Sequence, residues 1–331
     1  METISVGVVG CGKIAERHIN AYAKLDGVDV TITDIDESKR SVAEEYGVEW
    51  CTDPDTLIER ADIDAIDVCV PVTAHEDVIS QSLGHDKDVF CEKPLARTTA
   101  QARRIREKAD QTDNIVMVGY LYRFHPAFQF VKEVLDERII GSPHYAIFRV
   151  GGRGSHRPWK HKQAAGGGVG NEMLVHMLDL VFWYFGEPQS AESLHTDTIL
   201  REREIGGETV QADANDLALL NLDMNDGFSV LCQSDLLTPS YMNYVEIHGS
   251  NGSIFTTILD YFPTIVYCQE RRGIYDKGRN VREFDRVDLF ERELDQFVDC
   301  VRTGSKPELN DVADSVAVRS IIESTIEGEP R

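Results

Sequence analysis

A strand that runs unbroken into Gly-x-Gly-x-x-Ala and continues as a helix is compatible with few architectures. This chain starts with one: Ile4-Ser5-Val6-Gly7-Val8-Val9 leads straight into Gly10-Cys11-Gly12-Lys13-Ile14-Ala15. A turn poor in side chains lets main-chain N–H groups approach a pyrophosphate at the helix N-terminus, where the helix dipole also favours an anion. Gly10, Gly12, Lys13, Ile14 and Ala15 are therefore the expected phosphate-side contacts. Further on, strand and helix signals alternate, the pattern of a parallel, doubly wound sheet. Strands are expected at Ile4–Val9, Val28–Thr33, Ala65–Val70, Asp88–Cys91 and Ile115–Val118, with helices at Lys13–Lys24, Ser38–Glu45, His75–Leu83 and Thr98–Ala109. Ser38 and Thr98 are the expected N-caps.

The second strand ends in Thr33-Asp34, 22 residues beyond Gly12. A carboxylate there can accept both hydroxyls of an adenosine ribose and repels a 2′-phosphate, which favours NAD over NADP. Ile35 supplies no cation for that phosphate. The alternative is that Asp34 caps the segment after it.

After Gly119 the rhythm changes. Pro126–Glu137 reads as a helix, and His144–Val150, Leu217–Leu222, Phe228–Ser234, Tyr244–His248 and Ser253–Thr257 alternate like strands of a largely antiparallel, half-buried sheet. Asn225-Asp226-Gly227 and Gly249-Ser250-Asn251-Gly252 are hairpin signals, and helices at Asp285–Val301 and Asp311–Thr325 follow. The expected fold is α/β: a doubly wound parallel sheet over 1–120, followed by an α+β domain over 121–331 whose open sheet is largely antiparallel.

Net charge excludes some partners. At −23, the chain is a poor ligand for nucleic acid or an anionic membrane. It holds 11 lysines against 23 arginines; acidity with few lysines suits a salt-rich cytoplasm, or simply an acidic enzyme, and both readings stay open. No run has the length of a membrane span, and Met1–Val9 lacks a signal-peptide pattern. Seven cysteines without a Cys-x-x-Cys pair argue against a disulfide framework and a zinc site. A reduced, cytoplasmic protein without a metal is expected.

Two further stretches carry chemistry. Lys93, within Cys91-Glu92-Lys93-Pro94-Leu95, follows a strand and so falls at the carboxyl edge of the sheet, where such folds bind ligands. Gly166-Gly167-Gly168 leads into Val169-Gly170-Asn171-Glu172-Met173-Leu174-Val175-His176-Met177-Leu178-Asp179. Read as an α-helix, this sets Glu172, His176 and Asp179 near one face. A lone histidine on an apolar helix is usually a core residue; two carboxylates beside it can orient the imidazole and raise its basicity.

Gly10-x-Gly12-x-x-Ala15, Pro71 with His75, Glu92-Lys93-Pro94, Tyr122-Arg123-Phe124-x-Pro126, and Gly166-Gly167-Gly168 with His176 and Asp179 together resemble the glucose-fructose oxidoreductase/inositol dehydrogenase (Gfo/Idh/MocA) family over nearly the whole chain. The resemblance implies a Rossmann domain and a second domain whose open sheet makes homodimers or homotetramers. It implies Pro71, His75, Glu92 and Lys93 on the cofactor side, Arg123 and Asp179 on the substrate side, and Lys93 and His176 as catalytic residues beside the nicotinamide. Two departures stand out: Glu172 and Leu174 where the family often has aspartate and glycine, and Val72 where an asparagine commonly follows the proline. The expected reaction is hydride transfer between NAD and a secondary hydroxyl of a sugar or cyclic polyol. His176 is the base, Lys93 steadies the alkoxide, and Glu172 supports them.

Arg149–Lys162 carries five Lys and Arg side chains and no acid. Arg153 and Trp159 in that segment suit an anionic substrate (a uronate, nucleotide sugar or sugar phosphate), with a contact to an acidic neighbouring subunit as the equal alternative. His156 and His161 read as solvated loop residues. A glycosidase working through transient oxidation and a non-catalytic NAD-binding regulator are the rival functions.

Overall fold

The computed structural model describes residues 3–153, 157–259 and 262–328. It divides into two compact units, Met1–Leu121 with Asp288–Arg319, and Tyr122–Val287 with Ser320–Arg331. The chain thus returns to the first unit at Asp288.

The first unit holds β1 (Ile4–Val9), α1 (Lys13–Tyr22), β2 (Val28–Thr33), α2 (Arg40–Tyr46), β3 (Glu49–Trp50), α3 (Pro54–Glu59), β4 (Ala65–Val68), α4 (His75–Gly84), β5 (Asp88–Glu92), α5 (Thr99–Ala109) and β6 (Val116–Gly119). Its six strands are parallel, in the order β3-β2-β1-β4-β5-β6. The order reverses between β1 and β4, so the carboxyl ends of those strands frame a switch point where α/β folds take ligands. Gly10 ends β1 there. Continuous apolar runs suit strands covered on both faces, and β4 and β6 are buried throughout.

Thr98 caps α5 through a capping box with Gln101. Ser38 does not cap α2. Asp36 accepts from the Ser38 N–H and starts a short 3₁₀ turn over Glu37–Lys39, from which α2 follows at Arg40. The unexpected β3 and α3 are too short for a periodic signal, although Asp53 before Pro54 is the N-cap of α3.

The second unit contains α6 (Pro126–Asp136), β7 (Pro143–Gly151), α7 (Val175–Phe185), β8 (Ser190–Asp197), the paired β9 (Glu202–Ile205) and β10 (Glu208–Gln211), then β11 (Leu217–Asp223), β12 (Ser229–Asp235), β13 (Met242–Gly249), β14 (Gly252–Thr256), β15 (Thr264–Cys268) and β16 (Gly278–Arg282). Among the described residues the large sheet runs β16-β15-β14-β13-β7-β12-β11-β8. Every neighbour pair is antiparallel except β7 with β12. Both hairpin signals join the expected neighbours, β11 to β12 and β13 to β14. Inward positions such as Phe148, Val150, Leu220, Val230 and Ile247 are fully or nearly fully buried, each contributing roughly 1.5–3 kcal/mol of burial.

The last two helices, α8 (Leu289–Thr303) and α9 (Val312–Thr325), close the chain. α8 packs on α1 and buries Leu294, Phe297 and Val298 in the first unit, with Phe297 against Phe90 at 5.5 Å between ring centroids. No helix among the described residues is long and apolar enough to cross a membrane.

Candidate active site

In the first unit the site starts at Gly10, whose φ of 97° is open to glycine and whose absent Cβ would lie 2.9 Å from the Cys69 carbonyl group. Gly12, the N-cap of α1, has open space where a Cβ would stand, and no side chain caps the helix. The first-turn amides of Lys13, Ile14 and Ala15 are thus presented to an anion. Asp34, at the end of β2, accepts from the Cys11 N–H at 2.7 Å and from the Asp36 N–H at 2.9 Å. Its carboxylate is held by the glycine turn and also starts the next segment, so both roles envisaged for it are compatible. Burial, with Asp34 nearby, pushes the Cys11 thiol up to about 12, which keeps it a neutral neighbour. These features fit a dinucleotide.

Two strands away, β5 ends in Glu92, followed by Lys93 and a cis Lys93–Pro94 peptide. Glu92 is buried; its Oε2 accepts from the Lys93 N–H at 3.0 Å and its Oε1 lies 3.2 Å from His18 Nε2. Burial opposes the charge on Glu92, but the hydrogen bond and charge of His18 together with Lys93 outweigh it and leave the carboxyl below its usual range. His75 begins α4 after Pro71 and its short 3₁₀ turn. Its nitrogens face the Val70 and Leu95 carbonyls at 2.9 and 3.2 Å, and burial lowers its pKa. A neutral imidazole has one N–H and donates to one of these carbonyls; with Nε2–H on Val70, Nδ1 is left to accept from the Cys91 thiol at 3.3 Å.

In the second unit the glycine triplet has a mechanical reason. Gly166 and Gly168 have φ of 77° and 104°. A Cβ on Gly167 would collide with the Lys160 carbonyl at 2.3 Å, and the Gly168 N–H donates to that carbonyl at 2.9 Å. Only a bare main chain can bring the basic segment this close to the following helix. That helix does not start as read: Gly170–Leu174 is a π-turn and the α-helix begins at Val175. The i, i+4 stacking assumed for Glu172 and His176 therefore does not apply across it.

His176 is buried in the first turn of α7, its ring 4.7 Å from that of Tyr122. The Tyr122 hydroxyl shares a short hydrogen bond with Tyr241. Glu172 Oε2 accepts from Lys160 Nζ at 2.6 Å, and Lys160 also lies over the Trp159 ring at 5.3 Å. Arg123 and Asp179, expected on the substrate side, satisfy one another. Arg123 Nη2 and Nε donate to the carboxylate at 2.7 and 3.1 Å, with 4% and 0% of the two residues exposed. Arg149 is paired with Asp235 at 3.2 Å, while Arg153 is exposed. His161 is buried rather than solvated, and its main-chain carbonyl accepts from the Asp213 and Ala214 N–H groups; His156 lies outside the described residues.

Two features carry little signal in the sequence. Tyr241 carried no motif. His18 with Asp67 did leave a trace: a histidine in the buried stripe of α1 and an acid inside the apolar run Ala65-Ile66-Asp67-Val68.

A glycine turn at the switch point of a parallel sheet, backed by a carboxylate on the next strand, defines a dinucleotide-binding fold. The chain belongs to the Gfo/Idh/MocA family: residues 4–120 match its oxidoreductase-family NAD-binding Rossmann fold and residues 128–255 its GFO/IDH/MocA C-terminal domain. NAD is therefore the coenzyme of the first unit. The chain is 29% identical to the myo-inositol 2-dehydrogenase of Thermotoga maritima, over 92% of this chain and 90% of that one. It is 26% identical to the scyllo-inositol 2-dehydrogenase (NAD(+)) of Bacillus subtilis, over 93% and 89%. A solved levoglucosan dehydrogenase, in complex with NADH and L-sorbose, shares the fold with a TM-score of 0.90 at 20% identity, over 99% of this chain and 96% of that one.

Proposed function

We propose that the protein oxidises a secondary hydroxyl of an uncharged cyclic polyol or sugar. The observation that carries this reading is His176: a buried imidazole opening α7, packed at a tilt against the Tyr122 ring, in a chain that also sets Lys93 at the carboxyl edge of the NAD-binding sheet. Bound NAD supplies the hydride acceptor. His176 takes the hydroxyl proton, and Lys93 is a hydrogen-bond donor for negative charge that develops as hydride leaves. Glu172 holds Lys160 and with it the Trp159 loop, and Arg123 with Asp179 braces α7 against the segment before α6. Two of the segment's five cations are already paired, Lys160 with Glu172 and Arg149 with Asp235, which supports an uncharged substrate. The relatives named for inositols support the same class.

The second unit also offers a face for a second copy. Leu231, Ile147, Glu246, Phe255, Ile265 and Val281 form one band across six adjacent strands on the outer side of the sheet, partly exposed and mostly apolar. Such a band marks an association surface, and we assign it to a homo-oligomer.

Incubating the enzyme with NAD and a panel of inositols, anhydrosugars, aldoses and uronates tests the reaction. Net NADH from an uncharged polyol or sugar is the expected result. NADH from uronates or nucleotide sugars alone would restore the anionic reading, and aglycone release from glycosides without net NADH would point to transient oxidation. For the coenzyme, Asp34→Ala is expected to weaken NAD about 10–100-fold, the worth of charge-assisted hydrogen bonds to the ribose, and to narrow the NAD/NADP ratio. Titration of both dinucleotides by fluorescence reads it, and an unchanged ratio refutes the ribose role.

A further inference from the structure

We infer that His18 is a positioning residue for Lys93, acting as a buried clamp between two carboxylates; the inference rests on the role proposed above for Lys93. His18 stands one and a half turns into α1, the helix whose N-terminus faces the dinucleotide. Its Nδ1 is 2.8 Å from Asp67 Oδ2 on β4, and its Nε2 is 3.2 Å from Glu92 Oε1 on β5. The other oxygen of Glu92 accepts from the Lys93 main-chain N–H at 3.0 Å. One continuous chain of hydrogen bonds thus leads from Asp67 through His18 and Glu92 to the peptide that carries the amine.

His18 and Asp67 are fully buried, and Cys69 Sγ completes the cluster at 3.4 Å from both Nδ1 and Asp67 Oδ1. An imidazole facing two carboxylates can donate to both only when each nitrogen carries a proton. The environment supplies that state: burial works against the charge, but Asp67 and Cys69 outweigh it and raise the pKa well above the ordinary value. The Tyr22 hydroxyl, pushed up by burial and by Asp67, stays protonated nearby. The rings of Phe90 and Phe290, each 5.5 Å from the imidazole, close the remaining sides.

A buried ionic cluster adds little stability over apolar packing of the same volume, so fixing geometry is the physical return for keeping one here. Without His18, Glu92 would lose the donor that holds Oε1 and would be free to rotate Oε2 off the Lys93 N–H. Small displacements of a group that must meet a substrate oxygen are costly in rate.

The experiment uses the full chain. His18→Asn is expected to lower kcat about 10–100-fold with the NAD dissociation constant and substrate KM within about threefold. In the coenzyme-free protein, amide hydrogen exchange at Lys93 is expected to speed up about tenfold or more, while amides of β1 keep their protection. Asp67→Asn can donate its amide N–H to Nδ1 of a neutral imidazole, which leaves the Nε2–H for Glu92, and is expected to keep both properties near wild type, whereas Asp67→Leu, with no group to fix the ring, should behave like His18→Asn. A folded His18→Asn protein with unchanged Lys93 exchange and unchanged kcat overturns the proposal. Should that variant not fold, equal exchange and kcat in the two Asp67 variants overturn it. Wild-type turnover in Lys93→Ala would instead remove the catalytic reading of Lys93 while the exchange result still reports on His18.

Discussion

Lys93→Ala turns over about 10²–10⁴-fold more slowly than the wild type, the range lost when a positioned proton donor or acceptor is removed, yet still binds NAD. The proposed phosphate contacts are the amides at the start of α1, presented by a helix that no side chain caps, and not the amine. His176→Ala loses a similar factor, because no other base is expected to take the hydroxyl proton. Groups that act as a unit are strongly non-additive, so the double variant should be hardly slower than the worse single one. Steady-state kcat with NAD titrations on all three proteins checks this. A double variant slower by the product of the two single losses would mean that the two residues act in separate steps, and near-normal turnover in either single variant ends the assignment.

Asp179→Ala is expected to cost about 3–5 kcal/mol of stability, the usual consequence of leaving one member of a buried ion pair without its partner. Arg123 loses the carboxylate that accepts from both Nε and Nη2, at a depth where water cannot take its place. Asp179→Asn keeps one acceptor and should lose less. Both side chains bind two pieces of the second unit together, the 3₁₀ turn Leu121–Phe124 and α7, which also carry Tyr122 and His176. The damage should therefore show in substrate KM as well as in chemical denaturation. A denaturation midpoint within error of wild type would mean that the pair contributes nothing.

The parallel half of the fold was legible because its signals are local. Continuous apolar runs and a glycine turn each report on a few neighbouring residues, as the match of β1 and β2 to their expected spans illustrates. The charged hairpin of β9 and β10 lacked an apolar face to read, although the Gly206-Gly207 pair, with φ of 63° and 86°, marks its turn. The π-turn before α7 left no trace, since apolar residues surround it on every side. Partnership was the least legible property. Nothing local says that Arg123 meets Asp179, that Lys160 meets Glu172, or that His18 meets acids on β4 and β5. The stripe Leu294, Phe297 and Val298 says that α8 is buried, but not in which unit.

The return of Asp288–Arg319 to the first unit has a consequence for biosynthesis. When residue 121 leaves the ribosome, the surface of α1 that α8 covers is still bare, and the missing helix follows roughly 10–40 s later at ordinary elongation speeds. Until then the nascent nucleotide-binding half exposes an oily strip to solvent and is a natural client for chaperones that shield such surfaces. A fragment ending at Leu121 should accordingly accumulate as an insoluble or chaperone-bound species unless the segment carrying α8 is supplied to it as a separate peptide.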